Sequence, residues 1–145
     1  MVTKEHKVKK YCCFYASDFH LEMILLPYIK KNLKKYKFII MTETNLVDSI
    51  NLLLDRINLK AEEKMEILKL NWQSKDCIEE KFLNLNDLCF IINGSMDYIN
   101  KINKNIEQLK LKNINIIDCY KIDILSENKS YLGEKYEEIL NTKNI

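Results

Sequence analysis

Short apolar runs alternate along this chain with longer segments whose apolar residues recur every three or four positions. A run of four to eight apolar residues is typical of a buried strand, whereas spacing by threes and fours is typical of an amphipathic helix. Strands that alternate with helices favour an α/β fold with a mostly parallel central sheet. We therefore expect about five strands with helices on both faces, a three-layer arrangement of the RecA or Rossmann kind with right-handed crossovers.

The apolar runs predict four strands directly. They are Val8 to Ala16 (VKKYCCFYA), Phe38 to Thr42 (FIIMT), Leu88 to Ile92 (LCFII) and Ile114 to Tyr120 (INIIDCY). Residues Ala61 to Trp72 fit both periods, so we predict a short helix there that runs into a further strand at about Ile67 to Trp72.

Helices are expected between the strands. The first spans Asp18 to Tyr36, the second is capped by Thr44 or Asn45, and the third is capped by Ser95. A last helix is expected between Glu127 and Leu140. The apolar residues that define the two middle helices are Leu46, Ile50, Leu53, Leu54 and Ile57, and Ile99, Ile102, Ile106 and Leu109.

Length and composition fit a single domain that spans residues 1–145. The chain has 145 residues, of which 47% are hydrophobic and 30% charged, and it has only two glycines and one proline. This is ordinary globular composition, with enough residues for one sizeable core and no linker-like stretch. No apolar run is long enough for a membrane span, and no signal-peptide core follows the charged N-terminus, so we expect a cytoplasmic protein.

The charge balance argues against nucleic-acid binding. The formal net charge is +2, and 21 acidic residues are spread among the lysines, so no strong field is available to hold a phosphate backbone. The one basic cluster, Lys30 to Lys37 (KKNLKKYK), fits the basic end of a helix better than a nucleic-acid or membrane-surface patch. The partners we expect are a small molecule or a protein, with a second copy of the chain as one possibility.

The phosphate-binding motifs of parallel α/β sheets are missing. The first strand is followed by ASDFHLEM, which has no glycine and no Lys-Ser or Lys-Thr pair. There is thus neither a Walker A loop nor a dinucleotide fingerprint, and no cofactor is indicated. Gly94 lies between a strand and a helix, where an ordinary turn is favoured over an anion site.

The cysteines are expected to be free thiols, most of them in the core. Cys12 and Cys13 are adjacent in a strand, so their side chains point to opposite faces and cannot both reach one metal ion. Cys89 and Cys119 also lie in predicted strands, whereas Cys77 is in a polar segment and should be accessible. We predict no metal site.

Any site should lie at the carboxyl ends of the strands, where open α/β sheets bind their ligands. The polar side chains there suit a small ligand better than a catalytic assembly, because no nucleophile with its base is evident. If the protein is an enzyme instead, Asp18 and His20 are the candidate acid and base. The candidate ligand-binding residues are Ser17, Asp18, His20, Glu43, Thr44, Trp72, Asn93 and Ser95, with Asn45 and Gln73 beside them.

The two ends of the sequence share a pattern with a known family. A cysteine-containing aromatic strand ends at Tyr15, and a helix with a proline–aromatic step at Pro27 and Tyr28 follows it. A second strand comes next, and the whole segment from Lys9 to Glu43 resembles the opening of the methanogen and methylotroph sensory (MEDS) domains. Residues Asn115 to Leu125 (NIIDCYKIDIL) are similar to the final strand of that family.

Two positions depart from the family's pattern. Lys10 stands where such domains often have histidine, Asn32 stands where they often have glycine, and the segment Ile57 to Leu88 shows no match.

The resemblance implies a degenerate RecA-like fold that has lost its phosphate loop and serves as a sensor or regulator. We therefore expect a non-catalytic sensory or regulatory domain. The alternatives are a small enzyme acting at the same crevice and an oligomerising module that pairs subunits through Tyr131 and Tyr136 on the last helix.

Overall fold

The computed structural model describes residues 8–82, 86–121, 136 and 138–140. The elements, in chain order, are β1 (Val8–Tyr15), α1 (Asp18–Asn32), β2 (Lys37–Thr42), α2 (Val47–Leu54), α3 (Ala61–Lys69), a 3-10 turn (Glu80–Phe82), β3 (Leu88–Asn93), α4 (Met96–Leu109), β4 (Ile114–Lys121) and β5 (Glu138–Leu140). None of the helices in these ranges is both long enough and apolar enough to cross a lipid bilayer.

The five strands form one sheet in the order β2-β3-β4-β1-β5, and every neighbouring pair is parallel. The first strand of the chain therefore lies inside the sheet, between β4 and β5. In the β1–β4 pair Cys13 is directly opposite Cys119, and in the β3–β4 pair Asn93 is opposite Cys119. The predicted α/β fold with a parallel sheet of about five strands is confirmed.

Helices cover the sheet on both faces. α1, α2 and α3 pack on the face that carries Cys13, Ile40 and Ile117. α4 packs on the face that carries Cys12 and Phe90. Because both faces are covered, parallel strands become near-continuous apolar runs, and all six residues of β3 are buried. This is the physical origin of the apolar runs seen in the sequence.

The first helix is shorter than its sequence predicts. α1 ends at Asn32 rather than at Tyr36, because the Asn32 carbonyl accepts hydrogen bonds from the amides of Lys35 and Tyr36 in a closing turn. The Asn32 side chain also donates to the Tyr28 carbonyl at 2.8 Å, which satisfies an acceptor in the last turn. Pro27 lies inside α1 and does not end it.

The strand predicted at about Ile67 to Trp72 is wrong. The segment forms α3 up to Lys69, and its last residues turn back against the helix. The Trp72 indole nitrogen donates to the Ile67 carbonyl at 2.9 Å, and the Trp72 carbonyl accepts from the Leu46 amide. Ile67 is the only buried residue of α3, so the apolar spacing could not distinguish a helix from a strand.

The last predicted helix, Glu127 to Leu140, lies mostly outside the described residues, and its described end is wrong. Glu138–Leu140 is the edge strand β5, which pairs in parallel with β1. Leu140 is buried beside Cys13 in the core, which explains why an apolar residue occurs there. Of the two tyrosines proposed to pair subunits, Tyr131 lies outside the described residues and Tyr136 is half-buried.

The cysteines lie where the sequence places them. Cys12 and Cys13 are buried on opposite faces of the sheet, and Cys89 and Cys119 are buried in β3 and β4. Cys77 is exposed, and all five are free thiols.

Candidate functional site at the strand ends

Side chains at the ends of three strands are bonded to one another. The Tyr15 hydroxyl donates to Oδ1 of Asn93 at 2.5 Å, although β4 lies between β1 and β3 in the sheet. The residue of β4 opposite Asn93 is Cys119, a small residue in the same buried cluster as Tyr15. Asn93 in turn donates to Oγ1 of Thr42 at 3.3 Å, and Thr42 donates to the Thr44 carbonyl at 2.7 Å. This network ties the ends of β1, β3 and β2 together beneath the surface.

The N-terminus of α1 is capped by its own residues. Ser17 Oγ accepts a hydrogen bond from the His20 amide at 3.2 Å, and His20 Nδ1 accepts from the Ala16 amide at 2.9 Å. These two contacts satisfy backbone donors that would otherwise face solvent or a ligand. The His20 ring is therefore a local capping group, while Ser17 and Asp18 remain exposed at the surface.

The N-terminus of α4 is capped from a different strand. Ser95 Oγ accepts from the Tyr98 amide at 3.2 Å, and Oε1 of Glu43 accepts from the Ser95 amide at 2.8 Å. Gly94 permits this arrangement, because a Cβ there would lie 2.7 Å from the Tyr98 ring and 2.8 Å from Cβ of Glu43. A helix N-terminus favours an anion, and here the chain's own carboxylate takes that position.

Trp72 does not join the other candidate residues. Its side chain is only 3% exposed, and its indole nitrogen is bonded to the Ile67 carbonyl. It lines a shallow groove of about 480 Å³ between α2 and the end of α3. Its role is to pack the segment after α3 against α2, and it presents no ring to the strand-end surface. Thr44, Asn45 and Gln73 are exposed.

Lys75 is a contributor to this region that the sequence did not reveal. Its ammonium donates to the carbonyls of Ile40 at 2.6 Å, Asn71 at 2.5 Å and Gln73 at 3.3 Å. Its backbone amide donates to the Thr42 carbonyl at 3.0 Å, and its own carbonyl accepts from the Tyr98 hydroxyl at 2.6 Å. Burial lowers the pKa of the Lys75 ammonium to about 8, against an opposing effect of the Glu79 charge. The residue fastens its segment along the outer edge of β2, which protects an edge strand.

The surface at the strand ends carries several negative charges. Asp18, Glu43 and Asp97 are exposed in the turns and first helical positions that follow strands, and Asp76 is exposed in the segment after α3. Burial, with added effects of Asp76 and then Glu43, raises the pKa of Tyr98. Because the Lys75 ammonium is directed to main-chain carbonyls, it does not balance these charges at the surface. Lys121, the last residue of β4 and the pairing partner of Tyr15, lies at the same strand ends.

A second polar cluster surrounds Asp118, in the middle of β4. This carboxylate is only 1% exposed; Oδ1 accepts from Nδ2 of Asn103 at 2.9 Å, and Oδ2 accepts from the Tyr136 hydroxyl at 2.7 Å. The Lys10 ammonium is 4.0 Å from Oδ2, and the hydroxyls of Tyr120 and Tyr136 are 2.5 Å apart. Since Tyr136 donates to Asp118, Tyr120 donates to Tyr136, and every proton has an acceptor.

Burial raises the pKa of Asp118, and the hydrogen bonds from Asn103 and Tyr136 and the nearby Lys10 charge act in the opposite direction. The sequence reasoning missed this residue. The sequence does mark Asp118, as the one acidic side chain in the apolar run INIIDCY. A carboxylate in a strand covered on both faces must have hydrogen-bonding or charged partners. The cluster joins β4 to α4 through Asn103, whose Nδ2 also donates to the Ile99 carbonyl.

The fold and these contacts define an α/β protein whose all-parallel sheet has its strand-end polar groups bonded to one another. Comparison with known proteins assigns it no relative, since no family model, no curated protein and no solved structure matches the chain. Across the described ranges, no group of three or more His, Cys, Asp or Glu side chains is arranged to hold a metal ion.

Proposed function

We propose that the chain is a non-catalytic sensory or regulatory domain that binds a small molecule or a partner protein at the carboxyl ends of its strands. The resemblance of Lys9 to Glu43 to the MEDS domains supports this proposal. A RecA-like fold without a phosphate loop is what that resemblance implies, and a parallel sheet followed by a glycine-free loop after Tyr15 is compatible with it.

The observation that carries the proposal is the internal capping of both helices that begin at the sheet's ligand-binding edge. In phosphate-binding α/β proteins, the amides at such helix N-termini contact the ligand. Here Ser17 accepts from the His20 amide in the first turn of α1, His20 accepts from the Ala16 amide just before that helix, and Glu43 accepts from the amide of the N-cap residue Ser95 at α4. Binding without phosphoryl chemistry is the function that this arrangement supports best.

The charges at the strand ends favour a cationic ligand group. Asp18, Asp76 and Asp97 are exposed carboxylates at this surface, and the Lys75 ammonium is directed to main-chain carbonyls. A small amine, or a lysine or arginine side chain of a partner, is attracted by this potential, and a nucleotide is repelled by it. The exposed Phe19 ring adds an apolar and π-rich contact at the same edge.

A thermal-shift panel that pairs amines with nucleotides and organic acids tests the proposal, because a ligand that binds only the folded state raises the melting temperature. We expect stabilisation by a cationic compound, reduced in Asp18→Asn and Asp97→Asn. The matched control is Asp55→Asn at the far end of α2, which should respond like the unmodified protein. Stabilisation by anions alone would overturn the choice of ligand class.

Two outcomes would favour the alternatives. The absence of any shift, together with a stable oligomer by light scattering, would contradict ligand binding and favour an oligomerising module. Turnover of a bound compound that is lost in both His20→Ala and Asp18→Ala would show an enzyme. The structure gives the enzyme alternative less support, because His20 Nδ1 accepts a hydrogen bond from the Ala16 amide, which leaves only Nε2 of this ring to contact a substrate.

A further inference from the structure

A second buried carboxyl group, Glu22, lies between α1 and α2 one turn below the strand ends. It is only 1% exposed. Its Oε2 is hydrogen-bonded to the Ser49 hydroxyl of α2, and its Oε1 has no partner among the described residues. A buried polar atom without a partner is costly, and the cost is larger when the group is charged.

The hydrogen atoms available to this contact identify its protonation state. Ser49 Oγ is bonded to Glu22 and also lies 3.2 Å from the Leu46 carbonyl, yet a hydroxyl has one proton to donate. If Glu22 is ionised, Ser49 can serve only one of these two acceptors. If Glu22 carries a proton on Oε2, it donates to Ser49, and Ser49 donates to Leu46. Only the neutral form gives each of these contacts its own hydrogen.

Asp118 provides the internal comparison. It is as deeply buried as Glu22, but two donors, Asn103 and Tyr136, engage its two oxygens, and the Lys10 ammonium lies 4.0 Å away. The fold thus supplies Asp118 with the contacts of an ion and gives Glu22 a single shared hydroxyl. The contacts of Asp118 therefore stabilise an ionised carboxylate more than the contacts of Glu22 do.

We propose that Glu22 is a proton-dependent contact that holds α1 against α2 when neutral and separates the starts of these helices when ionised. Both helices begin at the strand ends, so their separation changes the spacing between the exposed candidate residues Asp18 and Asn45. Loss of this proton therefore alters the surface where a ligand would bind. The contact exists without any ligand and does not depend on the proposed function.

The groups around Glu22 favour the neutral form. Burial raises its pKa most, the Ser49 hydrogen bond lowers it, and the charge of Asp18, one turn earlier on α1, raises it again. α2 presents Ser49 with apolar Ile50 and Leu53 to this interface, and α3 presents Ile67. The glutamates of α3 line a groove at the other end of α1, beside Lys30, Lys31 and Lys34.

The sign of the pH dependence follows from linkage. A carboxyl group whose pKa is raised in the folded state holds more protons folded than open, so opening releases a proton. The contact is at full strength below the ordinary carboxyl pKa and weakens as pH rises through the folded-state pKa. In that window the opening equilibrium grows by up to about tenfold per pH unit.

Hydrogen exchange of the α1 and α2 amides between about pH 5 and about pH 8, corrected for intrinsic exchange rates, tests the proposal. We expect protection to fall with rising pH in the unmodified protein and to stay constant in Glu22→Gln, which is neutral and nearly isosteric. In Asp18→Asn the fall in protection should begin at a lower pH, because removal of the Asp18 charge lowers the pKa of Glu22. Asp55→Asn, which removes an exposed carboxylate at the end of α2, should leave the pH dependence unchanged.

A direct titration makes the result independent of any variant. The side-chain carboxyl carbon of Glu22, followed by NMR in the unmodified protein, should titrate with a pKa above the ordinary glutamate value. Titration in the ordinary range would overturn the proposal. So would a fall in protection that persists unchanged in Glu22→Gln.

Discussion

Glu43, which follows β2, accepts a hydrogen bond from the backbone amide of Ser95, which follows β3, at 2.8 Å. The end of one strand thereby caps the helix that follows its neighbour. Ser95 also caps α4 with its hydroxyl, so the first turn of this helix receives acceptors from two directions. A phosphate group in this place would have to displace a carboxylate.

Replacing Glu43 should open that position. We expect Glu43→Ala to lower the free energy of unfolding by about 1 kcal/mol, since a helix cap and a favourable charge at the dipole are both lost. Sulfate should then stabilise the variant more than it stabilises the unmodified protein, because the freed amide can bind it. Urea unfolding with and without sulfate measures both effects. Glu107→Ala, on an exposed position late in α4, is the control and should show neither.

Gly94→Ala should destabilise the fold by roughly 1–3 kcal/mol, the usual cost of added volume in a packed site. The new Cβ would lie 2.7 Å from the Tyr98 ring and 2.8 Å from Cβ of Glu43, so one side chain can rotate away but the other is fixed by its backbone. Chemical denaturation gives the value, with alanine at exposed Asn100 in α4 as a nearly neutral control. A change below about 0.5 kcal/mol would show that the loop after β3 shifts freely.

Tyr15→Phe should cost about 1–3 kcal/mol, because it leaves the buried Oδ1 of Asn93 without its donor. The matched control is Tyr28→Phe, since the described residues offer the Tyr28 hydroxyl no hydrogen-bond partner. The difference between the two variants in urea unfolding isolates the hydrogen bond from the general effect of removing a phenol oxygen. Equal effects would mean that Asn93 finds another donor, such as water.

The strands could be predicted because β2, β3 and β4 are buried over nearly their whole length and β1 over its second half. α4 could be predicted because Ser95 precedes residues spaced by threes and fours. β5 could not, because it has three residues with one buried side chain, Leu140, and so short a segment shows no period. The segment after α3 was misassigned for a related reason. Its direction is set by the hydrogen bond between Trp72 and the Ile67 carbonyl, which no local pattern encodes.

The position of the strand-end residues followed from the rule for parallel sheets, but their bonding did not. Tyr15 and Asn93 are 78 residues apart and meet because of a strand order that the sequence does not reveal. Lys75 gave no signal, because its acceptors are main-chain carbonyls, which every sequence has. Asp118 did give one, as the acidic residue of an apolar strand, and it was detectable in principle.

Asp118→Asn should lower the free energy of unfolding by roughly 1–3 kcal/mol, because an amide cannot accept hydrogen bonds from both Asn103 and Tyr136. Tyr136→Phe should also destabilise the fold, since it removes the donor to Asp118 and the acceptor of the Tyr120 hydroxyl. A double-mutant cycle of the two should show a coupling of about 0.5–3 kcal/mol, as expected for residues in direct contact. Additive effects would contradict the hydrogen bond between them.

Lys75 should give the protein a pH dependence at alkaline pH. Burial lowers the pKa of its ammonium to about 8 in the folded state, so the unfolded chain holds more protons between that value and the ordinary lysine range. By linkage, the contribution of Lys75 to stability rises with pH across this window. Lys75→Met keeps the apolar stem and removes the charge, so the stability of the unmodified protein relative to this variant should increase from about pH 8 upward.

Urea unfolding of both proteins at several pH values measures that difference, and the other titrating groups cancel in it. Lys69→Met, on an exposed residue whose ammonium pairs with Glu66, is the matched control and should show no such trend. A constant difference between the unmodified protein and Lys75→Met would show that the carbonyls of Ile40, Asn71 and Gln73 hold the ammonium charged throughout. That result would mean that the segment around Lys75 stays attached to the β2 edge at every pH tested.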